Sequence, residues 1–160
     1  MNILIKAARI IQPGSVHHEK KLDILIENGI ITNIASSIRS EKNVKVIEQE
    51  NLHVSVGWFD MQAHFCDPGF EFKEDLTSGI KAAAAGGFTD VALVSSTNPQ
   101  VYSKSQVLYL KNNTQDAIVG IHPIGTLSHK QEGNDLSEMY DMKLAGAVAF
   151  SDDKKTISNA

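Results

Sequence analysis

One short segment carries three alternating side chains that could bind a metal ion or move a proton. Asp60, Gln62 and His64 are separated by single residues in FDMQAHFCDPGF, which follows an apolar run. Alternate residues of a strand point to the same side, so Gln62 and His64 are predicted to face one site, with Asp60 beside them. Two imidazoles at such positions would bind one metal ion as a pincer, and a carboxylate from a later strand would complete the site. Here only His64 is an imidazole.

The elements that must position this segment change character along the chain. Residues 1–53 contain short β-branched runs between turn residues, and Asn28-Gly29 predicts a hairpin with a type I′ turn. After Val54, strands alternate with helices, which is typical of βα units and a parallel sheet. We therefore predict a small β portion over residues 1–53 and the first strands and helices of a barrel over residues 54–160.

The second part has the organisation of half a (β/α)₈ barrel. Strands are predicted at 54–61, 89–94, 117–121 and 147–150, and helices at 73–85, 103–112 and 136–144. Reactive groups of such a barrel lie at the carboxyl ends of its strands. A complete barrel needs about 250 residues, so we expect the chain to be a fragment. The alternative is a small open α/β sheet with its edge covered.

Composition narrows the class of protein. The 160 residues are 42% hydrophobic with a net charge of -4, which offers no polycationic surface for nucleic acid. The start MNILIKAARIIQPGS has an apolar run too short for a signal peptide or a membrane span. A single cysteine excludes an internal disulfide framework. We expect a cytoplasmic protein that binds neither nucleic acid nor a membrane.

The segment from Gly57 to Pro99 resembles the first two barrel strands of dihydroorotase, a cyclic amidohydrolase. The usual form of that family is Gly-x-x-Asp-x-His-x-His-x-Arg-x-Pro-Gly, then Lys-Glu-Asp, an Ala-rich helix, Gly-Gly-Phe-Thr and Pro-Asn-Thr-x-Pro. Residues 147–153, AVAFSDD, resemble its fourth-strand segment. The N-terminal β unit resembles the part-sandwich that precedes the barrel. The resemblance implies an α/β fold: the first half of a metal-dependent hydrolase barrel after a small β-sandwich portion.

The resemblance also implies a reaction and a set of site residues. Family members use one or two divalent metals, usually zinc, to interconvert carbamoyl-aspartate and dihydroorotate in pyrimidine biosynthesis. His64 matches the second histidine of the metal pincer. Asp152 matches the bridging carboxylate, with Asp153 as the alternative. The remaining histidine ligands and the catalytic aspartate would lie beyond Ala160.

Three positions depart from the family pattern. Gln62 replaces the first metal histidine, Cys66 replaces the arginine that binds the substrate carboxylate, and Ser96 replaces the asparagine of Pro-Asn-Thr. An amide is a poorer zinc ligand than imidazole, and a thiol cannot form a charged bidentate clamp. Two hypotheses follow. The protein is an impaired dihydroorotase, or it is a dihydroorotase-like pseudoenzyme that assists assembly of aspartate transcarbamoylase. Family members are commonly oligomers, so a homo-oligomer is expected.

Several other residues have simpler interpretations. We predict that Cys66 is an unreactive thiol, because no neighbouring base or helix N-terminus would lower its pKa. His122 is predicted to be structural. Asp60 is predicted to accept a hydrogen bond at the strand end rather than to bind a metal directly. Lys73-Glu74-Asp75 either caps a helix or contributes to the site.

Overall fold

The computed structural model describes residues 2–40 and 43–157. These residues form two compact units, which divide between Val56 and Gly57. The first unit is a mixed β-sheet, and the second is a parallel half-barrel sheet with helices. This α/β architecture confirms the predicted fold class. The predicted division into a β-sandwich portion, residues 1–53, and a barrel portion, residues 54–160, stays a prediction.

The first unit is a five-stranded sheet in which the first strand is central. Strand β1 pairs antiparallel with β2, which in turn pairs with β3. The other edge of β1 pairs in parallel with β4 and, further along, with β5. The strands are β1 Asn2–Ile11, β2 Lys21–Glu27, β3 Ile30–Ala35, β4 Val44–Ile47 and β5 His53–Ser55.

The predicted hairpin lies between β2 and β3. Asn28 and Gly29 have φ angles of 51° and 82°, which are the two left-handed conformations of a type I′ turn. The antiparallel pairing of β2 with β3 confirms the predicted hairpin. Its turn forms at this dipeptide because Asn and Gly tolerate both angles.

A buried aspartate fixes the bulge of β1. The register of β1 shifts between Ile5 and Ala8. Asp23 accepts hydrogen bonds there from the Lys6 Nζ at 2.8 Å and from the backbone nitrogens of Ala7 and Ile38 at 2.8 and 2.9 Å. Burial alone would raise the pKa of the Asp23 carboxyl, but these donors together lower it below its ordinary value.

The second unit contains four parallel strands in the order β6-β7-β8-β9. Helices connect them, as predicted for βα units. The elements are β6 Trp58–Ala63, α1 Leu76–Ala85, β7 Phe88–Leu93, α2 Lys104–Asn113, β8 Gly120–Gly125, a 3-10 segment His129–Gln131, α3 Met139–Ala145 and β9 Ala149–Phe150. Its core is apolar and includes Phe65, Leu76, Val91, Val101, Val107, Leu110, Val119, Ile121 and Met142.

Helix α1 lies very close to the end of β6. Asp75 caps its N-terminus through a reciprocal capping box with Ser78, so the capping interpretation of Asp75 is confirmed. A Cβ atom on Gly79 would lie 2.6 Å from the ring of Phe65. The absence of a side chain at this position lets Phe65, the neighbour of His64, pack against the helix.

Two strands, β6 and β8, differ most from the prediction. Residues 54–61 do not form one buried strand, because Val54 belongs to β5 of the first sheet and β6 begins at Trp58. Met61 is also 77% exposed, and β6 is an edge strand that pairs only with β7 among the described residues. Strand β8 begins three residues and ends four residues later than predicted, so that His122 lies within it and its carboxyl end is Gly125.

Across the described ranges, every helix is too short or too polar to cross a bilayer. The expected cytoplasmic location stays a prediction.

Candidate active site at the strand ends

The carboxyl ends of β6, β7 and β9 converge on the carboxylate of Asp153. The Gln62 Nε2 donates a hydrogen bond to its Oδ1 at 3.1 Å, and the Ser96 Oγ donates to its Oδ2 at 2.8 Å. The His64 Nε2 lies 3.9 Å from the same Oδ2. The Asp153 side chain is only 2% exposed, whereas that of His64 is 38% exposed. The structure therefore brings three sequence-predicted residues to one buried acid.

Asp152, the residue predicted to match the metal carboxylate, faces another way. Its Oδ1 accepts hydrogen bonds from the backbone nitrogens of Leu127 and Ser128 at 2.8 and 3.0 Å. Its Oδ2 accepts from the Ser128 hydroxyl. These donors fix the loop after β8, and no described contact joins Asp152 to His64. Asp153, the alternative, is the acid beside His64. The metal assignments of His64 and Asp152 stay predictions.

Gln131 is a site residue that the sequence did not reveal. It lies in the loop after β8, where Lys130 and Gln131 have φ angles of 52° and 57°. Its Nε2 donates to the Ser95 Oγ at 3.0 Å and to the Ser96 Oγ at 3.1 Å. No motif surrounds Gln131, and two consecutive left-handed residues other than glycine have no clear sequence signal. The contact was therefore not predictable from local pattern.

A cleft of about 330 Å³ opens beside Asp153. We call it the lysine cleft, because three lysines line it together with the site residues: Lys73, Lys154, Lys155, His64, Cys66, Ser96, Gln131 and Asp153. Lys73 Nζ lies 5.1 and 5.5 Å from the ring centroids of Phe70 and Phe72, which orders this cation near the opening. None of the three lysines forms an ion pair with a described acid. The lining is therefore cationic and suits an anionic ligand.

Cys66 lines this cleft and has a φ of 62°. It is a free, half-buried thiol. A thiol at this position offers a weak donor where the family resemblance implies an arginine.

Two further candidates have structural partners. The Asp60 Oδ1 accepts from the backbone nitrogen of Gln62 at 2.9 Å, which holds the strand end as predicted. The His122 Nε2 lies 2.8 Å from the Asp90 Oδ1, and its ring packs 5.4 Å from that of Phe59. His122 lies within β8 rather than at its end. Its structural interpretation agrees with these contacts.

The donor set around Asp153 does not fit the two-histidine pincer that the resemblance implies for a zinc ion. Within residues 2–40 and 43–157, no cluster of three His, Cys, Asp or Glu could hold a metal. Gln62 presents its amide nitrogen to the carboxylate, and an amide N–H group is a donor without a lone pair for a cation. Among the described residues, this position therefore has one imidazole, His64, beside one carboxylate, Asp153, where the resemblance implies a pincer of two imidazoles.

The fold and the polar strand ends define the class: the N-terminal part of an amidohydrolase, with a small β-sheet before a parallel half-barrel. The solved L-hydantoinase (dihydropyrimidinase) of Arthrobacter aurescens superposes with a TM-score of 0.73 at 22% identity, over 92% of this chain and 32% of that one. The dihydro-orotase-like family matches residues 53–160. The chain belongs to that family.

Curated relatives agree with this assignment. A dihydroorotase of Citrifermentans bemidjiense is 39% identical over 161 residues, covering 100% of this chain and 38% of the relative. A dihydroorotase of Acetivibrio thermocellus is 41% identical over 159 residues, covering 99% of this chain and 37% of the relative. The chain thus spans well under half the length of the relatives it matches.

Proposed function

We propose that the protein containing this chain is a dihydroorotase-type cyclic amidohydrolase with impaired turnover of dihydroorotate or carbamoyl-aspartate. The observation that carries the proposal is the contact between Gln62 and Asp153. The residue in place of the first metal histidine is an amide, a poorer zinc ligand than imidazole, and it donates a hydrogen bond to the acid. Asp153 takes the part that the resemblance gives to Asp152. Zinc as a cofactor stays an expectation from the family.

The substitution at Cys66 supports impairment independently. A charged arginine forms a bidentate pair with a carboxylate, whereas a thiol is a weak neutral donor. Loss of one preorganised transition-state donor costs about 2.7–4 kcal/mol in a well-studied hydrolase. Loss of a substrate clamp together with a metal ligand is expected to cost at least as much.

The lysine cleft supports an anionic substrate. Its three lysines outnumber its one acid, Asp153, whose carboxylate already accepts two hydrogen bonds. Lys154 and Lys155 follow β9, the last strand of this sheet in the chain, whereas Cys66 follows β6, the first. Dihydroorotate and carbamoyl-aspartate both carry carboxylates, which such a lining would attract. We propose that these lysines hold the carboxylate in place of the missing arginine.

Turnover by the whole protein tests the impairment. We expect dihydroorotate hydrolysis by the unmodified protein to be weak. The triple variant Gln62→His, Cys66→Arg, Ser96→Asn should raise kcat/KM by about 100-fold or more, because each substitution restores a metal-binding or substrate-binding residue of the family pattern. Circular dichroism of both proteins controls for folding. Ordinary dihydroorotase turnover by the unmodified protein would contradict the proposal.

Ligand binding tests the lysine cleft separately from turnover. In isothermal titration of the whole protein with carbamoyl-aspartate, Lys154→Ala with Lys155→Ala should weaken binding about 10-fold, as expected for loss of roughly 1.4 kcal/mol of charge interaction. Lys104→Ala is the matched control, because Lys104 is exposed at the start of α2 and does not line the cleft. Equal affinity of the double variant, the Lys104→Ala control and the unmodified protein for carbamoyl-aspartate would contradict a role of the lysine cleft in binding.

The second candidate function is a pseudoenzyme that assists assembly of aspartate transcarbamoylase. The combined replacement of three family residues at one site, Gln62, Cys66 and Ser96, favours it. In this case the whole protein should bind aspartate transcarbamoylase in analytical ultracentrifugation, and the triple restoring variant should bind equally well. The same experiment reports whether the protein is a homo-oligomer. Absence of complex formation at micromolar concentration would contradict this candidate.

A further inference from the structure

Two of the three departures from the family pattern meet at one carboxylate. Gln62 lies at the end of β6 and Ser96 follows β7, yet their side chains donate to the two oxygens of Asp153. Gln131, from the loop after β8, donates to Ser96 in turn. We call these four residues the Asp153 latch. Gln62 and Ser96 are distant in sequence, so their joint contact with one acid indicates that the substitutions act together.

The chemistry of the groups fixes the direction of every hydrogen bond in the latch. An ionised carboxylate only accepts, so Gln62 must turn its NH₂ group toward Asp153 and its amide oxygen away. Ser96 has one hydroxyl hydrogen, which it donates to Asp153, while it accepts from Gln131. Ser95 likewise accepts from Gln131 and donates to the Ser151 carbonyl at 2.7 Å. The donors therefore converge on Asp153 without conflict.

In this direction residue 62 offers no lone pair to a cation beside Asp153, because the amide nitrogen of Gln62 has none available. The amide oxygen, turned inward, would be a poorer zinc ligand than the imidazole of the family. The Asp153 side chain is 2% exposed, so the carboxylate needs compensating donors, which Gln62 and Ser96 supply. Neutral side-chain donors thus stabilise the buried carboxylate here, as the positive charge of a cation would stabilise it in a metal site.

We propose that the Asp153 latch replaces the metal position of the family's histidine pincer with a metal-free hydrogen-bonded connection. It links the ends of β6 and β7, the loop after β8 and the segment after β9. Asp153 is a positioning residue in this role, and Gln62 and Ser96 are matched substitutions. The inference concerns the same site as the proposed function but does not depend on turnover or on the identity of the substrate.

Zinc titration of the whole protein, stripped of metal beforehand, tests the latch. We expect Gln62→His to bind one more zinc ion per chain than the unmodified protein. Zinc should also raise its midpoint of thermal unfolding by more than it raises that of the unmodified protein, because a ligand that binds only the native state stabilises it. Gln115→His is the matched control: it adds the same side chain at an exposed position away from Asp153 and should leave the zinc count unchanged. Equal zinc counts for Gln62→His and the unmodified protein would overturn the proposal.

Asp153→Asn keeps the test decisive if Gln62→His does not fold. If the latch is metal-free, this variant binds as many zinc ions as the unmodified protein, by elemental analysis, with the same affinity. A metal held by Asp153 would instead be lost or weakened in the variant. Loss of one zinc ion from Asp153→Asn would therefore overturn the inference, and an unchanged count would support it. Neither outcome depends on dihydroorotate turnover.

Discussion

Each unit of the molecule contains an aspartate with a buried side chain, and the two carboxylates are satisfied differently. In the first sheet, Asp23 accepts from the Lys6 ammonium and from two backbone N–H groups. At the strand ends of the half-barrel, Asp153 accepts from the side chains of Gln62 and Ser96. Backbone donors come with the fold, whereas side-chain donors depend on residue type. Both donors of Asp153 can therefore be changed by substitution, whereas the two backbone donors of Asp23 cannot change without changing the sheet.

Asp152 extends the comparison to a neighbouring residue. It is 5% exposed and takes two backbone donors and one hydroxyl from the loop after β8. Adjacent acids thus have opposite roles: Asp152 fixes a loop, and Asp153 faces the site. The resemblance assigned the family's carboxylate to Asp152 with Asp153 as the alternative, because both stand in the same short motif.

The largest effect is expected from Asp152→Asn. The Ser128 N–H donates to both Oδ1 and Oδ2 of Asp152, at 3.0 and 3.2 Å, so the NH₂ group of an asparagine would face this donor in either orientation. Because a backbone N–H cannot turn away, we expect a loss of about 3 kcal/mol in the free energy of unfolding. Asp153→Asn is the matched control and should cost only about 1 kcal/mol, because Gln62 can turn its amide oxygen inward and Ser96 can rotate. Urea unfolding followed by circular dichroism measures both. An equal or larger loss for Asp153→Asn would break the distinction between backbone and side-chain donors.

A smaller effect, with a defined pH dependence, is expected from Asp23. Its pKa is lowered in the folded state, so its contribution is complete at neutral pH and is lost as the pH falls below the ordinary value of 3.8 toward the folded pKa. Asp23→Ala should reduce the free energy of unfolding by about 2 kcal/mol at pH 7. The difference between variant and unmodified protein should shrink in acid. Thermal unfolding at a series of pH values measures it, and a difference that grows below pH 3.8 would contradict this account.

The sequence predicted those features that local chemistry determines. The Asn28-Gly29 turn, the alternation of helices and strands after β6, and the common facing of Gln62 and His64 all follow from dihedral preferences or residue spacing. Features that depend on distant contacts were missed. Val54 pairs with β1, although its β-branched run reads as part of the next strand. Gln131 reaches Ser96 only because an irregular loop returns to the strand ends.

The smallest effect is expected from Asp90, whose donors are side chains like those of Asp153 but exposed. The hydrogen bond from His122, and then that from Thr89, lowers the pKa of the Asp90 carboxyl. A lowered pKa means that the contribution is present above the ordinary value of 3.8 and is lost as the pH falls through the folded pKa. The side chain is 40% exposed, so solvent screens the pair. We expect Asp90→Asn to cost less than about 1 kcal/mol at pH 7, and less still in high salt. Urea unfolding at low and high salt measures this. The donors of Asp90 can turn to water, whereas the backbone donors of Asp152 cannot. A loss for Asp90→Asn as large as that for Asp152→Asn would therefore show that exposure does not separate these two kinds of carboxylate.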